Sequence, residues 1–138
     1  MKKIILALLP ILLLGGCIEP SGNNSMLGPQ RSQVQTRNYQ SRQFDTDDRA
    51  MVMRSIVSTM QDLGFIIGRA DETLGTVSGS APAGGMRMTV SVREAGKDRI
   101  IVRANAQQGA REVTDPIAYQ NFFNSLGQSL FLDAHLVD

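Results

Sequence analysis

Hydrophobic and polar residues alternate most regularly in the middle of the chain, and this alternation predicts a β-hairpin. Eight apolar residues occupy every second position on the two sides of a turn at residues 94–98: Met86, Met88, Val90, Val92, Ile100, Val102, Ala104 and Ala106. If Arg93 pairs with Arg99 across the turn, all eight lie on one face of the hairpin. A slip of one residue would divide them between the two faces, so the pattern favours a single register.

Two amphipathic helices are predicted on either side of this hairpin, because apolar residues recur there at intervals of three and four. The first follows the acidic segment 45–48, in which Asp45 or Thr46 is suited to cap a helix, and it stops at Gly64. The second follows Thr114-Asp115-Pro116, a capping residue and a proline suited to a first turn. Their apolar stripes comprise Val52, Met53, Ile56, Val57, Met60 and Leu63, and Ile117, Tyr119, Phe122, Phe123, Leu126 and Leu130.

Shorter strands are predicted at residues 37–44, 65–67 and 76–80, where β-prone residues stand between turn-forming residues. The element order is then β-α-β-β-β-β-α. A mainly antiparallel sheet with one apolar face needs a cover, and the two amphipathic helices can lie on that face. The sequence therefore predicts an α+β fold, a two-layer sandwich formed by a single domain at residues 37–138.

The N-terminal residues have the pattern of a secretory signal peptide. Lys2 and Lys3 precede an apolar segment at residues 4–14, which is too short to cross a bilayer as a helix of about 20 residues. The segment ends at Leu14-Gly15-Gly16-Cys17, which resembles the lipobox of bacterial lipoproteins. An ordinary signal peptide with a cysteine in its cleavage region is the alternative.

The lipobox resemblance implies a lipid anchor at Cys17. In this family the cysteine thiol receives a diacylglyceryl group, the peptide is cut before the cysteine, and the new amine is acylated with a fatty acid such as palmitate. Residues 1–16 are then the signal peptide. Ile18 stands where an aspartate would resemble an inner-membrane retention signal. This favours the outer membrane, facing the periplasm, and leaves the inner membrane and the cell surface open.

Residues 18–36 are rich in Ser, Gly, Asn, Gln and Pro and show no apolar period. Such a segment cannot bury enough apolar surface to offset its ordering entropy, so we expect a flexible tether. Together with the lipidated Cys17 it forms the predicted N-terminal part of the mature chain, residues 17–36.

Charge and cysteine content exclude several kinds of partner and chemistry. Loss of Lys2 and Lys3 with the signal peptide would leave 12 basic and 13 acidic residues, so we expect no nucleic-acid binding. Cys17 is the only cysteine in the chain. Its lipidation would leave no thiol for a disulfide or for catalysis.

The sequence shows no set of residues typical of an active site or a metal centre. His135 is the only histidine, whereas zinc needs three or four convergent ligands and a hydrolytic triad needs a nucleophile beside a base. The acidic segment 45–48 lacks the glycine and terminal glutamate of a calcium loop, and helix capping explains it. We therefore expect no enzyme activity, no cofactor and no metal, and a hydrolase using His135 is the least favoured of three functions.

The polar face of the predicted hairpin carries four arginines, Arg87, Arg93, Arg99 and Arg103. Guanidinium groups bind carboxylates and phosphates through forked donors, which makes this face a possible ligand or partner surface. The alternative is a solvated face kept charged against aggregation. We favour that alternative, because Glu94 and Asp98 can neutralise the turn end.

The segment Leu63-Gly64-Phe65, followed by Asp71 and Gly75, resembles the helix-grip unit of outer-membrane assembly lipoproteins. That family has two such units and this chain has one; the resemblance carries over no binding residues. It implies an accessory role at the cell envelope. We expect a non-catalytic outer-membrane lipoprotein that binds a protein partner as an adaptor or accessory subunit of an envelope assembly. A binding module for an anionic envelope ligand, such as peptidoglycan or lipopolysaccharide, is the alternative.

Overall fold

An antiparallel sheet carries the apolar side chains of the domain on one face, and two long helices cover that face. The computed structural model describes residues 33–131 and the backbone of residues 134–136. The elements in chain order are α1 (Gln33–Gln40), β1 (Ser41–Phe44), α2 (Arg49–Asp62), β2 (Ile66–Asp71), β3 (Thr76–Ala81), β4 (Met86–Glu94), β5 (Ile100–Gln108), β6 (Arg111–Glu112), α3 (Pro116–Leu130) and β7 (Ala134–Leu136).

The strands lie in the order β2-β3-β4-β5-β1-β7, and β6 also pairs with β5. Each described strand pair is antiparallel. The predicted α+β two-layer sandwich with a mainly antiparallel sheet is confirmed. Among the described residues, no helix is both long and apolar enough to cross a membrane.

The β4–β5 hairpin forms as predicted, but its register is shifted by two residues. Arg93 lies opposite Ile101 rather than Arg99. The five-residue loop begins one residue later than predicted, because Gly96 and Asp98 adopt positive φ there and the Ala95 N–H donates to the Arg99 carbonyl at 2.9 Å. A shift of two residues preserves the faces. Seven of the eight alternating apolar residues are therefore buried, and Met86 packs partly buried against them.

Both long helices begin at an aspartate, although not always the one that was predicted. The cap of α2 is Asp48, whose carboxylate accepts from the Met51 N–H at 2.8 Å. The Thr46 hydroxyl instead accepts from the Asp48 N–H at 3.2 Å. The cap of α3 is Asp115, followed by Pro116 in the first turn. The predicted stripes are buried with three exceptions: Leu63 and Ile117, at their ends, are exposed, and Val57, within the first stripe, is half-buried.

The prediction of a strand from Arg37 was wrong over residues 37–40, which belong to α1. Contacts distant in sequence stabilise this helix. The Tyr39 ring packs against the Tyr119 ring of α3 with centroids 5.3 Å apart, and Gln40 is buried. Residues 33–36, assigned to the tether, are also helical. The predicted signal peptide, the lipobox with Cys17 and the rest of the tether lie outside the described residues.

The hydroxyl of Tyr119 completes the sheet where β5 changes its neighbour. Residues 100–103 of β5 pair with β1, whereas Gln107 and Gln108 pair with β6. Between them, the Tyr119 hydroxyl accepts from the Ala106 N–H at 3.1 Å and donates to the Val113 carbonyl at 2.8 Å. Burial raises the pKa of Tyr119 above its ordinary value, so the hydroxyl keeps its proton.

Gln40 links this junction to α1. Its Nε2 donates to Glu112 Oε1 at 2.8 Å and approaches the Tyr119 hydroxyl at 3.4 Å. One partly buried hydrogen-bonded cluster therefore joins α1, β5, β6 and α3.

We predict that Tyr119→Phe destabilises the domain by about 1–3 kcal/mol, because it leaves the buried Ala106 N–H without its partner. The matched control is Tyr39→Phe, which removes a buried hydroxyl that has no hydrogen-bond partner among the described residues. Chemical denaturation should show no loss of stability for the control. Equal losses in the two variants would contradict the assigned role of the Tyr119 hydroxyl.

Candidate functional site

The face of the sheet opposite the core is polar, and the strand register fixes the positions of its arginine side chains. Thr76 of β3, Ser91 of β4, Arg103 of β5 and Ser41 of β1 lie side by side across four strands. The neighbouring row places Arg93 beside Ile101. Arg93 and Arg103 are therefore diagonal neighbours on one surface, close enough for their long side chains to reach a common ligand.

A groove of about 760 Å³ lies on this face, bounded by α1 and by the turn between β2 and β3. We call it the basic groove, and its lining residues are Val34, Arg37, Asn38, Ser41, Leu74, Ser91, Val92, Arg93, Ile101 and Arg103. Three of these carry a positive charge, and none of them is acidic. The groove therefore offers an electropositive surface beside apolar side chains.

The structure brings together two of the four arginines singled out in the sequence. Arg93 and Arg103 line the basic groove, whereas Arg87 lies opposite Gln107 and borders a separate depression of about 350 Å³. Arg99 ends the turn before β5 and lines neither of these two cavities. Sequence reasoning missed Arg37, because residues 37–40 were assigned to a strand and no local pattern placed a helix beside the sheet.

The wall formed by Leu74 is held by hydrogen bonds around the β2–β3 turn. The Asp71 carboxylate accepts from the Leu74 N–H at 2.9 Å, and Arg49 Nη2 donates to the Thr73 carbonyl at 3.1 Å. The Val92 N–H donates to the Gly75 carbonyl at 2.7 Å. The hydrogen bond from Leu74, and secondly that from Arg69, holds the pKa of Asp71 below its ordinary value. The carboxylate is thus ionised when it fixes the turn.

The opposite wall, formed by α1, is tied to the sheet through Arg42. Arg42 Nη1 donates to the carbonyls of Asn38 and Ser41, at 2.7 and 2.8 Å. The Arg42 guanidinium also lies 5.1 Å from the centroid of the Phe123 ring, a cation–π arrangement. Burial lowers the pKa of Arg42, although an arginine stays charged at any physiological pH. These contacts hold the end of the helix that presents Arg37.

A second surface lies at the other end of the sheet, where β2 pairs with β3 and with no other strand among the described residues. Helix α2 runs beside this edge and leaves a shallow groove of about 220 Å³. We call it the edge groove, and it is lined by Met53, Arg54, Val57, Ser58, Gln61, Ala70 and Glu72. A β-bulge interrupts the pairing between Ile67 and Arg69, and Ile66 is exposed.

The backbone of His135 belongs to β7 and pairs with Gln43 of β1, rather than ending the last helix. Its side chain lies outside the described residues. Asp48 caps α2. No group of three His, Cys, Asp or Glu residues suited to hold a metal ion occurs in the described part of the chain.

Comparison of the sequence with protein-family models and with curated proteins finds no match.

We predict that Gly75→Ala destabilises the domain more than Gly85→Ala and displaces the Leu74 wall. Both glycines have positive φ, +65° and +62°, where an L-residue costs about 1–2 kcal/mol. A Cβ on Gly75 would also lie 2.6 Å from both Arg49 Nη2 and the Val92 carbonyl oxygen, whereas a Cβ on Gly85 meets nothing within 4 Å. The difference between the unfolding free energies of the two variants, measured with denaturant, gives the cost of the steric clash at Gly75. Equal losses would show that the turn tolerates a side chain at Gly75.

Proposed function

We propose that the protein is a non-catalytic lipoprotein of the outer membrane, facing the periplasm, which acts as an adaptor or accessory subunit of an envelope assembly. The anchor is the acylated Cys17. Support for it comes from three agreeing features of the N-terminus: Lys2 and Lys3, the apolar segment at residues 4–14, and the lipobox Leu14-Gly15-Gly16-Cys17. A cysteine carrying three acyl chains would hold the chain stably, since anchoring needs more than one chain.

A docking role follows from the way such a chain would be held. About 15 residues separate Cys17 from the start of α1 at Gln33. A flexible segment of that length has an end-to-end distance of roughly 20–24 Å. The domain would therefore stay close to the membrane on average, which raises its effective concentration toward membrane-bound machinery.

The observation that carries the adaptor role is the open edge of β2 beside α2. An edge strand presents backbone N–H and C=O groups that pair with an extended segment of another chain. Since side chains alternate along a strand, every second residue of such a segment would face the edge groove. There it would contact Met53, Val57 and Ala70, with Arg54 and Glu72 at the rim. The partner would therefore supply an extended segment with small apolar residues at alternate positions.

We predict that Cys17→Ser abolishes incorporation of labelled palmitate and leaves residues 1–16 attached, because only a thiol accepts the diacylglyceryl group. A variant that combines Cys17→Ser with Ser21→Cys is the control, since it restores a thiol outside the lipobox. Mass spectrometry and palmitate labelling of membrane fractions should show neither variant modified. Labelling of either variant, or an unlabelled wild-type chain cut before Cys17, would contradict the anchor.

We predict that Ala70→Arg lowers recovery of a crosslinked protein partner at least tenfold, because the long charged side chain fills the edge groove. A tenfold loss corresponds to about 1.4 kcal/mol of binding free energy. Ala110→Arg, an equal change at an exposed position in the β5–β6 turn, is the matched control. The measurement is pull-down from crosslinked membranes with Cys17 intact.

The adaptor proposal fails if the wild-type protein recovers no specific partner. It also fails at this surface if Ala70→Arg and Ala110→Arg recover the partner equally while both variants unfold at the wild-type temperature.

A further inference from the structure

We propose that the basic groove binds the phosphate headgroup of an anionic lipid in the membrane to which the chain is tethered. This site is distinct from the edge groove and is a second binding function of the domain. Its chemistry is independent of the adaptor role, whereas its nearness to a membrane rests on the proposed lipidation of Cys17.

Charge selects an anion as the occupant. Arg37, Arg93 and Arg103 reach the groove from α1, β4 and β5, and no acidic side chain lines it. All three side chains are exposed, so their guanidinium groups are accessible to a ligand from solvent. None of the three donates to a carboxylate among the hydrogen bonds and ion pairs of the described residues. Guanidinium groups match the geometry of phosphate oxygens through paired N–H donors.

Apolar neighbours select an amphiphile rather than a free anion. Val34 and Leu74 are 66% and 65% exposed, although both are large apolar residues, and they stand on opposite walls of the groove. Ile101 is half-buried on the floor beside Arg93. A headgroup seated among the arginines would place the start of its acyl chains against these side chains.

Position favours a lipid over an acidic segment of a protein. Helix α1, which supplies Val34 and Arg37, begins about 16 residues after Cys17. With Cys17 anchored, a flexible chain of that length would have an average end-to-end distance of roughly 20–24 Å between the lipid surface and α1. Such a chain also samples shorter distances, and an anionic membrane surface attracts basic side chains that come within about one Debye length of it.

The test uses the purified, acylated protein in a non-ionic detergent and titrates it with short-chain phosphatidylglycerol at fixed ionic strength. Short-chain phosphatidylcholine, inorganic phosphate and a glutamate-rich peptide are the comparison probes. We expect saturable binding of phosphatidylglycerol, at least tenfold tighter than binding of the other three probes. Calorimetry gives the dissociation constants, and amide chemical shifts at Ser91, Arg93 and Arg103 report the site.

The matched variants are Arg93→Ser with Arg103→Ser, and Arg87→Ser with Arg99→Ser. Both pairs remove two positive charges from the same hairpin, but only the first pair lines the basic groove. We expect the first pair to weaken phosphatidylglycerol binding at least tenfold and the second to leave it within twofold. Arg93→Lys with Arg103→Lys should recover only part of the affinity, because lysine keeps the charge and loses the forked donors.

Four results would overturn the proposal: equal binding of both lipids, equal losses in the two serine variants, inorganic phosphate binding as tightly as the lipid, or the glutamate-rich peptide doing so. Tight binding of inorganic phosphate would assign the groove to free phosphate, and tight binding of the peptide would assign it to an acidic protein segment. Because Ala70→Arg should leave lipid binding unchanged and Arg93→Ser with Arg103→Ser should leave partner recovery unchanged, failure of one proposal is separable from failure of the other.

Discussion

The architecture depends on how the ladder of β5 is completed where its neighbour changes from β1 to β6. A break in a buried ladder leaves backbone groups without partners, which is costly away from water. The Tyr119 hydroxyl fills the break, since it accepts from the Ala106 N–H and donates to the Val113 carbonyl. The same residue packs its ring on Tyr39. One side chain thereby fixes α3 against the sheet and α1 against α3.

The position of α1 in turn creates the basic groove. Without that helix, the outer face of β4 and β5 would be an open polar surface, and Arg93 and Arg103 would face solvent only. Helix α1 adds Val34 and Arg37 as a wall, while the turn held by Asp71 and Arg49 adds Leu74 on the other side. One face of the sheet therefore packs the core, whereas the other face forms the basic groove and the β2 edge is left without a neighbouring strand among the described residues.

Sequence patterning predicted what depends on local periodicity. The period of two along Met86–Glu94 and Ile100–Gln108 identified the buried face, and the intervals of three and four identified α2 and α3. The register could not be read to within two residues, because a shift of two leaves every side chain on the same face. Only the loop geometry at Gly96 and Asp98 decides it.

Helix α1 was missed because tertiary contacts of Tyr39 and Gln40 override a local preference that is not helical. The groove residues Arg37 and Leu74 were missed with it, since neither lies on the hairpin.

The bulge in β2 sets a length for any strand that joins this edge. Pairing with β3 is regular on either side of Gly68 but shifts between Ile67 and Arg69. An incoming strand cannot continue its ladder through such a shift, so it gains only a short run of backbone hydrogen bonds. The ion pair between Arg69 and Asp71, 3.1 Å apart, adds charge beside that run. Long flat edges invite copies of a protein to polymerise, whereas a short interrupted one supports brief, exchangeable contacts. A segment that paired with this edge in the proposed adaptor role would therefore dissociate readily, and the interruption disfavours growth of a fibre from copies of this domain.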